Sequence, residues 1–288
     1  MHIPDGFLTT PVWATLDAIA IPAVAWTARR AQSELESPDD RRIPLLGVMG
    51  AFVFAAQMIN FPVGLGTSGH LVGGTLLAIT LGPAAAVVVM TAILILQALI
   101  FQDGGLVVLG ANVLNMAVVG VLAGYLPYRL AGRGKARSAA IFLGGFCSVA
   151  ASASLALAEL LVSGVPMARQ LLWFSAGLFL VSGVIEGAIT AAATRAIEGM
   201  NPLWIREARP ARPVTIAVAV LGAAGLLAAG IAVASSAPDA LQALLPGSKN
   251  AGIPEGRLTK IVLGLAAMIL LYAACVIAGR RIARQRSA

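Results

Sequence analysis

Hydrophobic residues in this chain fall in long runs, each about the 20 residues that cross a hydrocarbon layer, and polar residues gather in short connectors between them. The runs cover 11–28, 43–61, 106–128, 139–163, 171–196, 214–234 and 260–279. One further stretch, 71–101, stays apolar for 31 residues and is broken only by Gly82-Pro83. Each run is expected to be helical, because hydrocarbon offers no water to satisfy open backbone groups.

How the 31-residue stretch folds sets the topology. As a single helix it would put the basic clusters of 29–42 and 129–137 on opposite sides of the membrane, against the tendency of Lys and Arg to stay on the cytosolic side. As two helices with a tight turn at Gly82-Pro83, it brings four clusters to one side: Arg29/Arg30/Arg41/Arg42, Arg129/Arg133/Lys135/Arg137, Arg195/Arg206/Arg209/Arg212 and Arg280/Arg281/Arg284/Arg286. Sixteen of the 20 Lys and Arg residues then lie inside, leaving Arg169, Lys249, Arg257 and Lys260 outside. The expected fold is all-α: a polytopic helical membrane protein of about nine transmembrane helices, with the amino terminus outside and the carboxyl terminus in the cytosol. A helix over 71–81 is too short to face lipid without mismatch and is expected to be buried among the others.

Composition agrees with this reading. Hydrophobic residues make up 59% of the 288 and charged ones 11%, where a soluble domain has about a quarter charged. The net charge of +7 does not point to nucleic acid, since the basic residues flank apolar runs and form no soluble basic face. Cys147 and Cys275 lie inside apolar runs far apart and read as core filler with no disulfide framework. The amino terminus lacks the basic start of a signal peptide, its first charge being Asp5, so residues 1–10 are expected to remain and to face outside.

The two histidines, His2 and His70, are the only ones in the chain, and this topology puts both on the outer side. His2 gives a free chain end three nitrogen donors in one short segment: the amine of Met1, its own backbone amide and its Nδ1. Amine with amide closes a five-membered chelate ring, and amide with Nδ1 a six-membered one. Such a planar nitrogen set suits Ni(II) or Cu(II), with Co(II) a weaker candidate. The fourth donor is expected from His70, which follows the glycine-rich segment Gly64-Leu65-Gly66-Thr67-Ser68-Gly69, a flexible external loop on this reading. Ile3-Pro4-Asp5-Gly6 has Pro at the second position of a turn, which would fold the terminus back toward the bundle. Asp5 is then placed to accept a hydrogen bond from the free ring nitrogen of a ligand histidine.

These residues resemble a known family. The start Met1-His2-Ile3-Pro4-Asp5-Gly6-Phe7-Leu8, the stretch 57–63, Gly66-Thr67-Ser68-Gly69-His70-Leu71, and Asp103-Gly104-Gly105-Leu106 with Asn112 and Asn115-Met116-Ala117 are similar to the CbiM/NikM family. Its members are the substrate-binding (S) components of energy-coupling factor transporters for cobalt and nickel. The likeness covers about residues 1–210. It implies a square-planar site from the Met1 amine, the His2 amide and imidazole and the His70 imidazole, with Asp5, Asn60 and Ser68 as candidates to hold those ligands in place from outside the metal. The transported ligand would be Ni2+ or Co2+, with a tilt to Ni2+, and no cofactor is implied. The implied partners are a membrane-embedded coupling (T) protein and cytosolic ABC ATPases, in the cell membrane of a prokaryote. Residues 1–212 would then be the metal-binding domain. Residues 213–288, two spans around an external loop with Pro238-Asp239-Ala240-Leu241-Gln242, resemble the auxiliary CbiN/NikN component. Ala240 and Gln242 depart from that component's usual Pro-Asp-Gly-Leu-Glu motif.

Two rival classes are weaker. Gly66-Thr67-Ser68-Gly69 matches the GxSG pattern of intramembrane serine proteases, but the required base must come from another helix, and His70 is only two residues away. A stand-alone proton-coupled metal permease would want an acid within the membrane, for which Asp17, Glu159 and Glu186 are candidates; the plainer expectation is that they bond neighbouring helices. Gln57, Gln97, Asn112 and Asn115 are expected to tie helices together, with Asn60 and Asn115 also candidates to face the site. Gly132-Arg133-Gly134-Lys135 lacks the spacing and following Ser/Thr of a Walker sequence, so no ATP binding and no enzymatic activity are expected.

Overall fold

A computed structural model of the protein describes residues 1–35, 42–58, 60–64, 67–166 and 169–208. Residues 213–288, read above as two spans of an auxiliary component and including Cys275, lie outside the described residues. The apolar runs become helices α1 (Thr10–Leu35), α2 (Arg42–Gln57), α3 (Gly74–Leu81), α4 (Pro83–Leu96), α5 (Leu109–Asn112), α6 (Val121–Ala131), α7 (Arg137–Val162) and α8 (Arg169–Met200). A π-helical turn, Gln97–Phe101, extends α4, and a longer π-helical stretch, Val113–Gly120, joins α5 to α6. Five of the resulting helices are long and apolar enough to cross a membrane, and Pro44–Gln57 is a shorter apolar helix. Large apolar side chains stand exposed along them, including Ile21 and Trp26 on α1, Phe52 on α2 and Trp173 and Leu180 on α8. Such a surface is costly in water and natural against lipid tails.

The 31-residue stretch does divide at Gly82-Pro83. Gly82 has φ 89° and ψ 155°, a backbone region that is essentially closed to other residues, and Pro83 opens α4 where its missing N–H costs nothing. All eight residues of α3 are buried, as expected of a span too short for lipid. An eight-residue helix rises only about 12 Å, whereas α4 with its π turn rises about 28 Å. The chain makes up most of the difference with extended backbone, at about 3.3 Å per residue. Where a flexible loop was expected, β1 (Asn60–Gly64) and β2 (Thr67–His70) pair as an antiparallel hairpin, with Asn60 opposite His70 and Pro62 opposite Ser68. One strand of it leads straight into α3.

One end of the bundle gathers the basic connectors. The Arg206 amide donates to the Ile79 carbonyl (2.9 Å), the Tyr128 hydroxyl to the Arg206 carbonyl (2.7 Å), and Arg137 pairs with Glu198 (2.8 Å). These contacts bring together the ends of α3, α6 and α8 and the start of α7. At the far end of α7, some 35 Å along its axis, Ala156 and Leu160 pack with Ile3, Leu8, Val108 and Ala111. Ile3 and Leu8 of the amino-terminal segment are therefore part of the core at the end opposite the basic clusters.

Candidate metal site

The amino-terminal segment is fastened by a backbone that comes from a hundred residues later. The Ile3 amide donates to Asn112 Oδ1 (2.8 Å), the Asn112 Nδ2 returns a bond to the Ile3 carbonyl (3.0 Å), and the Gly105 amide donates to the same carbonyl (2.9 Å). Asp5 accepts the amides of Leu106 (3.0 Å), Val107 (2.9 Å) and Val108 (3.3 Å). These N–H groups precede α5, where the chain enters a helix and has no intrahelical acceptor to offer them. Asp17 on α1 does the same for the Gly110 amide (2.8 Å). Gly105 is required by this docking, because a Cβ there would run into Asp5.

Residue 2 is thereby carried into the protein. His2 is 8% exposed, and its ring lies nearly parallel to that of His70, with centroids 5.3 Å apart and planes 16° from parallel. A metal-bound imidazole has its centroid about 3 Å from the ion, given bonds of about 2 Å, so rings sharing one ion lie within about 6 Å. The two histidines, 68 positions apart, meet that limit. His70 Nδ1–H donates to the Leu71 carbonyl (2.9 Å), which leaves Nε2 as the nitrogen with a lone pair.

Asp103 completes the cluster. Its carboxylate lies 3.2 Å from His2 Nδ1, in a loop that follows Gln102, the one non-glycine at positive φ among the described residues. Burial alone would push the Asp103 carboxyl up. The charge of His2, its hydrogen bond, His70 and the terminal ammonium outweigh this and hold it well below the usual carboxylate range. Burial, then the terminal ammonium, then His2 lower the His70 pKa to about 4. His70 is thus a neutral imidazole at any ordinary pH, which is the form that binds metal. His2 Nε2 is buried without a hydrogen-bond partner.

Of the sequence candidates, the structure brings together His2, His70 and the terminal group of Met1, whose charge acts on both His70 and Asp103. Asp5 is taken up by the backbone amides of Leu106, Val107 and Val108, and the carboxylate that lies beside His2 is that of Asp103. The expected donor Nδ1 of His2 faces that carboxylate. The side chains of Asn60 and Ser68 lie outside the described residues. Asn115 donates to Glu159 on α7 (2.8 Å), Gln97 to Gln57 (2.8 Å), and Glu186 accepts two amides near α3. Asp17, Glu159 and Glu186 are all bonded to neighbouring elements. Cys147 is a partly buried free thiol on α7. Sequence reading missed the contacts of Asp103 and Asn112; the only signal was a polar residue beside glycines in the first case and a buried amide in the second. Among the described residues, no group of three or more His, Cys, Asp or Glu side chains is arranged to hold a metal ion.

The sequence model of a family described as "Cobalt uptake substrate-specific transmembrane region", CbiM, matches residues 2–204. The chain belongs to the CbiM family. Among relatives of this CbiM chain, a protein of Haloquadratum walsbyi whose name assigns it to metal transport is 41% identical over 209 residues, covering 70% of this chain and 92% of that one. A fused nickel transport protein, NikMN of Rhodobacter capsulatus, is 31% identical over 260 residues, 81% of this chain and 74% of its own length. A crystal structure of a truncated transition metal transporter superposes with a TM-score of 0.58 at 30% identity, over 69% of this chain and 99% of that one. The CbiM chain is accordingly a metal transport protein of the membrane and not an enzyme.

Proposed function

We propose that this protein binds Ni2+ or Co2+ with high affinity at its outer end and is the substrate-specific component of an ATP-driven energy-coupling factor transporter. The supporting observation is the approach of the His2 and His70 rings to 5.3 Å beside the chain terminus. The metal is the cargo. Its ligands are the Met1 amine, the His2 amide and Nδ1, and His70 Nε2. As the ion arrives, the amine, the amide and His2 Nδ1 each give up a proton to solvent, and the ring exchanges the Asp103 carboxylate for the metal. Asp103 stays beside the site as a negative charge against the dication. Asp5 fixes the segment that carries the chelate, while Asn60 and Ser68, on paired positions of the hairpin, remain proposed outer-shell groups. Four nitrogens in a plane favour nickel over cobalt.

The coupling protein and paired ATPases supply the energy for release to the cytosol, and residues 213–288 act as a fused auxiliary component on this reading. With nine helices and the amino terminus outside, the basic end of the bundle faces the cytosol of a prokaryotic cell.

The deciding experiment is metal titration of three purified forms: wild type, His70→Ala, and a chain with one extra residue before Met1. Both altered forms are expected to lose affinity by at least about 100-fold, since each removes one of four ligands. Affinity equal to wild type in either would overturn the ligand set.

A further inference from the structure

His70 is the one proposed ligand that does not lie in the amino-terminal segment, so its placement depends on what holds the three residues, Leu71 to Gly73, between the hairpin and α3. Two helices hold them through Val72 and Gly73. From α2, Gln57 Nε2 donates to the Val72 carbonyl (2.6 Å), and Gln57 is itself braced by Gln97 Nε2 (2.8 Å). From α8, the two oxygens of Glu186 divide the work: Oε2 accepts the Val72 amide and Oε1 the Gly73 amide, each at 2.8 Å. Glu186 is 1% exposed. A carboxylate in such a place is costly unless both oxygens are satisfied by good donors, and here they are satisfied by the backbone that leads from His70.

The reach of Glu186 depends on close helix packing. Gly187 and Gly145 meet where a Cβ on Gly145 would strike the Gly187 backbone, so α8 lies tight against α7. From there a glutamate side chain extends to the start of α3. Otherwise α8 is an outer helix, with many of its side chains exposed. We infer that Glu186 is a positioning residue: it holds Val72 and Gly73 so that His70 faces His2, and it thereby couples α8 to the metal site. This rests on the ligand set proposed above. Movement of α8 displaces the Val72–Gly73 backbone, which lies two residues from the ring, and the Leu71 carbonyl that orients His70 Nδ1 lies between them.

The test uses the full chain, purified, with Ni2+ as the probe and the visible absorption of bound nickel as a second readout. Glu186→Gln keeps size and one acceptor but points an NH2 group at a backbone N–H. It is expected to weaken Ni2+ binding about tenfold, with Glu186→Ala weaker by up to about 100-fold, and to shift the nickel absorption band because the fourth ligand is displaced. In a His70→Ala background the same changes are expected to cost nothing further. Wild-type affinity and spectrum in Glu186→Gln, or an equal loss with and without His70, would overturn the inference. Should Glu186→Ala not fold, the isosteric Gln variant decides. If His70→Ala binds nickel like wild type, the ligand set itself is wrong; if only the Glu186 variants do, the ligand set stands and the coupling is wrong.

Discussion

At the scale of single residues, the site is a contest between charges. Asp103 and His2 form a pair, which metal binding at the proposed ligands would open, leaving the carboxylate to balance the dication. Asp103→Asn is expected to lower Ni2+ affinity about tenfold, the range seen when a partner of a metal-ligating histidine is lost, measured by competition with a chelator of known affinity. The pKa of His70, near 4 against an ordinary 6.5, fixes a sign. A histidine lowered on folding takes up its proton in the unfolded chain first, so its stabilising effect is complete above 6.5 and is lost as pH falls toward 4. Metal binding displaces protons from the nitrogen donors, so nickel affinity falls as pH is lowered, and His70 contributes little to that fall above about pH 6. Titrations at several pH values check this: affinity should decline steadily as pH is lowered, with no separate His70 step above pH 5. The two histidines were legible in the sequence because there are only two, and one directly follows Met1. Asp103 was not, because a single acid between apolar runs carries no mark of which distant side chain it meets. Asp5 was legible as a turn residue but not as a cap. Its partners are amides a hundred positions away whose need for an acceptor arises only once α5 forms.

At the scale of elements, the turn at Gly82-Pro83 is the feature on which the others depend. It sends α3 away from the site and α4 back, so one apolar stretch delivers His70 before the turn and Asp103 after it, at the same end. Gly82→Ala is expected to cost about 1–3 kcal/mol, because its φ and ψ exclude a Cβ; a lower melting temperature in detergent is the readout. The amino-terminal cap is a smaller item. Asp5→Ala should cost about 1 kcal/mol, the usual loss of a helix cap, and should weaken metal binding more than it lowers melting, because it frees the segment that carries the chelate. The helices were readable from run length, and the division of the 31-residue stretch from charge placement. The hairpin was not, since glycine-rich sequence of that kind reads equally as loop. Nor were the π-helical stretches, which change hydrogen-bond spacing without any change in composition.

At the scale of the whole molecule, the chain offers the proposed binding site at one end and a basic face at the other, joined by helices with no nucleotide-binding sequence. Purified protein in liposomes is expected to show no sustained Ni2+ uptake alone and to gain it when the coupling protein and ATPases are added; uptake without them would favour a stand-alone permease. Ile3 is held by Asn112, 109 residues further on, and Asp5 by the amides that begin with Leu106. During synthesis, the opening residues leave the ribosome long before anything exists to grip them. They must wait in solution while α1 through α4 insert, and only the arrival of α5 lets them seat. On the proposed ligand set, cargo affinity is therefore acquired late in biogenesis, so a chain stalled before that helix would sit in the membrane without sequestering metal.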